Sequence, residues 1–81
     1  MKKIMINYSE DFRENKIASE IYSRLRNRGF DQISVATNYN VGLGMTEAEY
    51  LFNGGTFPED SDLEKILEGI KVSFKICELK I

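Results

Sequence analysis

Apolar and polar residues alternate from the start of the chain, with Ile4, Ile6 and Tyr8 on one phase and Lys3, Met5 and Asn7 on the other. A period of two puts the first set on one face of a strand over residues 3–8. Ser9-Glu10-Asp11 then turns the chain, and Asp11 with Glu14 makes a capping box for a helix. Over that helix the period lengthens to four. Ile17, Ile21 and Leu25 form one stripe, flanked by Ala18 and Tyr22, which predicts a helix from Phe12 to Arg28. Gly29 supplies the left-handed residue that ends it, and Phe30 is expected to fold back onto the stripe.

Alternation resumes in Gln32–Tyr39, where Ile33, Val35 and Thr37 oppose Ser34, Ala36 and Asn38. Asn40-Val41-Gly42-Leu43-Gly44 reads as a loop, because two close glycines interrupt any regular element. Residues 45–53 carry two patterns at once. Thr46, Ala48, Tyr50 and Phe52 alternate as in a strand, while Thr46 with Glu49 could cap a short helix over 46–53. The strand is preferred, since a Gly-containing loop of this length suits a hairpin return. The alternative is a three-stranded sheet with an extra short helix. Ser61 with Glu64 caps a second helix, striped by Leu63, Ile66, Leu67 and Ile70, with Gly69 at its exit and Pro58 safely upstream. From Lys71 a last strand turns Val72, Phe74 and Ile76 inward. At Cys77 the phase slips, and Leu79 and Ile81 continue on the other face, either through a bulge or because another chain covers a second apolar face.

The resulting order is βαββαβ, an α+β ferredoxin-like fold: a four-stranded antiparallel sheet with two helices on one face, over a single domain of residues 1–81. That topology sets the last strand at an edge, where unpaired backbone groups favour strand pairing. Cys77, Leu79 and Ile81 are therefore the expected contact of a homodimer.

Composition narrows the chemistry. The chain has no histidine and one cysteine, Cys77. That excludes an internal disulfide, a tetrahedral zinc site and any Ser–His or Cys–His nucleophile pair. No cofactor and no catalytic residue is expected, and Cys77, among apolar neighbours, reads as structural. An apolar content of 42% supports a packed core. The apolar run after Lys2-Lys3 is too short for a secretion signal or a membrane span, so a cytoplasmic protein is expected.

Charge is unevenly placed around a net value of −2. The first helix concentrates Arg13, Lys16, Arg24, Arg26 and Arg28, the best candidates for a partner-binding surface. Nucleic acid is a weaker match than an acidic protein surface, because the chain is acidic overall and Tyr39 is the only exposed-looking aromatic nearby. Acids dominate from Glu47 to Glu68, where they read as a solvated face or a surface for a basic groove. Asp60-Ser61-Asp62-Leu63-Glu64 mimics the start of a calcium loop, but Lys65 stands where that loop needs glycine. Gly42, Gly44 and the Gly54-Gly55 pair lack the residues that would make them phosphate-binding loops.

A first strand ending Ile6-Asn7-Tyr8-Ser9, the turn Glu10-Asp11 and a helix closing Arg24-Leu25-Arg26-Asn27-Arg28-Gly29-Phe30 resemble the small CRISPR-adaptation nucleases of this fold. The layout is also similar to related endoribonuclease antitoxins of bacterial toxin–antitoxin pairs. Active members carry an aspartate at the end of the first strand that holds a metal in a dimer interface. Here Asn7, Tyr8 and Ser9 fill those positions and none is acidic, so the resemblance leaves Glu10 and Asp11 as alternative metal ligands. The function expected is a small non-catalytic module, a bacterial or phage-encoded regulator or inhibitor that binds another protein. The alternative is an RNA-binding or metal-dependent antitoxin of the endoribonuclease type.

Overall fold

The computed structural model describes residues 2–9, 16–53 and 56–78. The elements run β1 (Lys2–Tyr8), α1 (Lys16–Asn27), β2 (Ile33–Asn40), β3 (Met45–Phe52), α2 (Asp60–Ile66) and β4 (Ser73–Glu78). One sheet has the order β2-β3-β1-β4, and every neighbouring pair in it is antiparallel. This is the ferredoxin-like arrangement, with β1 and β3 in the middle and β2 and β4 at the edges.

The centre of the sheet supplies the core. Ile4, Ile6 and Tyr8 of β1 and Thr46, Ala48, Tyr50 and Phe52 of β3 are buried on one face, under Ala18, Ile21 and Leu25 of α1 and Leu63 and Ile66 of α2. The ambiguous segment 45–53 is a strand. Its helix-like capping pair loses because β3 pairs on both sides, with β1 and with β2, and buries one alternating face. The β2–β3 hairpin closes through Gly44, whose amide bonds to the Asn40 carbonyl at 2.9 Å and whose φ of 63° explains the glycine. Phe30 does fold back: it meets Phe52 edge-on at 5.9 Å, after a Schellman turn in which its amide bonds to the Leu25 carbonyl and that of Gly29 to Arg26.

Three local expectations need correction. Helix α2 starts at Asp60 with Glu59 as its N-cap, and the Glu59 amide donates to the Asp62 carboxylate at 3.1 Å. The acid-rich stretch holds two overlapping capping boxes, and the one two residues earlier is used in place of Ser61 and Glu64. The β1–β4 register is unbroken from Lys2 opposite Glu78 to Asn7 opposite Ser73, so no bulge occurs through Cys77. Ile76 and Cys77 simply face opposite sides. Phe74 and Ile76 do lie on the helix side, opposite Ile6 and Ile4, but they are 47% and 42% exposed. The seven-residue α2 buries Leu63 and Ile66 in the core, and among the described residues Phe74 and Ile76 stay partly in solvent. The capping box at Asp11 and Glu14, the start of α1 before Lys16, and Leu79 and Ile81 lie outside the described residues.

Candidate interaction surfaces

The arginines of α1 divide sharply. Arg24 sends its Nη1 to the Ile66 and Glu68 carbonyls at 2.9 and 2.7 Å, and its Nε to Glu20 at 3.0 Å. Those carbonyls belong to the end of α2, where helical acceptors have no partner of their own. Arg28 grips Asp62 at the start of the same helix, with Nη2 at 2.6 Å and Nε at 3.2 Å. One helix thus clamps the other at both ends. Arg26 points elsewhere, with its Nη1 bonded to the Tyr22 hydroxyl at 3.1 Å and its guanidinium 5.8 Å from that ring. Lys16 is exposed, and Arg13 lies outside the described residues.

The Arg28 guanidinium, with the Glu59 amide second, holds the Asp62 carboxyl below its ordinary value of 3.8. A depressed folded value stabilises the native state above the unfolded pKa and loses that stabilisation as pH falls through the folded one. The clamp is therefore complete at neutral pH and released only in acid, below pH 3.8. The urea midpoint of the wild type should consequently fall more steeply between pH 4 and pH 2 than that of Asp62→Asn, an expectation set by this linkage. Parallel curves for the two proteins would dismiss the clamp as a pH-sensitive contact.

Both edges of the sheet keep apolar side chains in solvent, Phe74 and Ile76 on β4 and Val35 on β2. Beside β4 runs a groove of about 370 Å³ floored by Leu63, Leu67 and Phe74 and rimmed by Asp60 and Glu64. Beside β2 a groove of about 470 Å³ is lined by Ala18, Tyr22, Ile33, Val35 and Thr37. At the hairpin tip Val41 and Leu43 are 82% and 74% exposed. Alternation marked the faces of Phe74, Ile76 and Val35, yet gave no sign that these faces lack cover. Val41 and Leu43 read in the sequence only as members of a glycine loop.

Cys77 lies half-buried on the open side of the sheet, its thiol 3.7 Å from the Met5 sulfur. The same side carries Lys3 paired with Glu49 at 3.0 Å. At the end of β1, Asn7, Tyr8 and Ser9 border a shallow hollow with Lys71 and Ser73, while Glu10 and Asp11 lie outside the described residues. Among the described residues no three acidic, histidine or cysteine side chains gather as a metal site, and no helix is long and apolar enough to cross a membrane.

No family model matches the chain, and no curated protein does. Among solved structures the chain is similar to the de novo designed protein Foldit4, with a TM-score of 0.54 and 13% identity over 98% of this chain and 96% of that one. At that identity the likeness is one of fold alone.

Proposed function

We propose that this chain is a small non-catalytic interaction module that binds another protein through the β4 edge and the groove beside α2. The observation that carries this reading is the exposure of Phe74 and Ile76 on the helix side of an edge strand. An edge strand offers backbone groups for one more strand, and alternate apolar pockets give such an addition its specificity. The rim of Asp60 and Glu64 selects a basic partner segment with apolar residues at alternate positions. The arginines, first in line by sequence, support the reading less, because Arg24 and Arg28 are engaged within the chain.

The test is affinity capture from source cells with wild-type protein and with Phe74→Asp/Ile76→Asp. Both positions are half exposed, so the double variant should fold, which circular dichroism verifies. The expected result is a protein captured in stoichiometric amount by the wild type and lost by the variant. Equal capture by both would defeat the assignment of the surface. RNA cleavage dependent on magnesium or manganese and abolished in Asp11→Ala would overturn the non-catalytic reading and establish the endoribonuclease alternative.

A further inference from the structure

The opposite edge of the sheet carries a different message. Strand β2 runs for eight residues, Ile33-Ser34-Val35-Ala36-Thr37-Asn38-Tyr39-Asn40, with no charge and no proline, and its pairing with β3 is unbroken. Natural edge strands are usually blunted by charges, prolines, bulges or shortness, since a bare edge recruits other strands. β4, at six residues with Lys75 and Glu78, follows that rule, and β2 breaks it.

The ladder shows which groups β2 offers. The Asn53 amide bonds to the Gln32 carbonyl at 2.8 Å, which makes this a hydrogen-bonded pair. Alternation then turns the amides of Ser34, Ala36 and Asn38 toward β3 and those of Ile33, Val35 and Thr37 outward. A two-fold axis perpendicular to the sheet keeps like faces together, so only registers that match residues of the same face are allowed. The register centred on Ala36 sets Val35 against Thr37 and Ile33 against Tyr39 of a second copy on the helix side. Ser34 meets Asn38 on the open side, and the two Ala36 residues face each other. β-branched, aromatic and hydrogen-bonding side chains are matched along the whole strand, and no like charges meet. β4 does worse against itself: centred on Lys75 it opposes two lysines, and centred on Ile76 it sets Phe74 against Glu78.

The same register covers the hairpin tip. With Asn40 opposite Gln32 of the second copy, Val41 and Leu43 arrive beside its Gly29–Gln32 segment, where a small hollow is lined by Gly29, Phe30, Asp31 and Phe52. We infer that the chain forms a homodimer by antiparallel pairing of β2 with β2, giving one continuous eight-stranded sheet built from two four-stranded ones. The inference rests on the interaction-module reading and extends it. The dimer places the two β4 grooves at the outer ends of the sheet on the same face, so the module is bivalent for its partner.

The test uses sedimentation of the full chain over a concentration series, together with single-cysteine variants in a Cys77→Ser background. Ala36 is exposed, and Ala36→Lys sets two like charges face to face across the axis without touching the core. The wild type should show a concentration-dependent dimer, and Ala36→Lys a monomer whose urea midpoint matches that of the wild type diluted until it too is monomeric. The Ala36 pair is non-hydrogen-bonded, with Cα atoms about 4.5 Å apart, inside the disulfide range. Ala36→Cys should therefore cross-link when oxidised glutathione accepts the two electrons of the thiol pair. Ser34→Cys, about 14 Å from its counterpart in this register, should not.

A wild type that stays monomeric into the hundreds of micromolar would overturn the inference, as would a dimer indifferent to Ala36→Lys or equal cross-linking at 34 and 36. The capture assay separates this from the proposed function. Partner capture retained by a monomeric wild type leaves the module reading standing without self-pairing. A dimer that captures nothing through Phe74 and Ile76 removes that reading and leaves the β2 pairing in place.

Discussion

Tyr50→Ala is expected to abolish cooperative folding or to lower the urea midpoint by about 3–5 M, from a loss of about 3–5 kcal/mol at a slope near 1 kcal/mol per M. A chain of this length has about 4–12 kcal/mol in all. Tyr50 has no exposed surface, and it stands in the middle of β3, which is paired on both sides. Its hydroxyl donates to the Ala18 carbonyl of α1 at 2.8 Å, which ties the sheet to the helix inside the core. Removing the side chain leaves a cavity beneath α1 and cuts that tie. Tyr50→Phe keeps the ring and should cost only about 1 kcal/mol, the net value of one buried hydrogen bond. Burial, with the charge of nearby Tyr8 second, pushes the Tyr50 phenol above its ordinary value of 10.0. A raised folded value means that its contribution is complete below pH 10.0 and is lost as pH rises through the folded value. Urea unfolding of the wild type and both variants checks the pair. A Phe variant as weak as the Ala variant would shift the weight from packing to the hydroxyl.

The central elements were legible because each buries one face continuously. Ile4, Ile6 and Tyr8 at period two, and Ala18, Ile21 and Leu25 at helical spacing, are all in the core. The flanks were less legible. Alternation fixes which way Phe74 and Ile76 point, but what lies above them depends on where the helices sit on the sheet, which no local pattern encodes. The α1 arginines show the same limit. Helical spacing separates Arg26 from Arg24 and Arg28, yet the acceptors of Arg24 lie 42 and 44 residues away in sequence, and the Asp62 partner of Arg28 lies 34 away. No local pattern encodes such pairs. The bare edge of β2 falls between these cases: its lack of charge is plain in the residues, and only the sheet order turns that lack into a surface.

The second large effect concerns those arginines, and it discriminates between a structural and a partner-binding role. α2 holds the core through Leu63 and Ile66 and is too short to be stable alone. Its last carbonyls are satisfied by a guanidinium from the neighbouring helix. Arg24→Ala strips both hydrogen bonds at once, and each is charge-assisted. After allowance for its one-third exposure, the loss should be about 1.5–2 kcal/mol, or a urea midpoint lower by about 1.5–2 M. Arg24→Lys should recover only part, because a single ammonium cannot hold Glu20, as Nε does, while also reaching the Ile66 and Glu68 carbonyls, as Nη1 does. Arg28→Ala should cost less than Arg24→Ala, and Arg26→Ala should leave the midpoint unchanged, since its partner Tyr22 lies on its own helix. Arg24→Ala and Arg28→Ala combined should lose more than the sum of the two, because either contact alone still seats α2. Side chains reserved for a partner would behave otherwise, each altering stability by no more than about 0.5 kcal/mol. A flat series across all three positions would return the arginines to the surface and reopen α1 as the binding face.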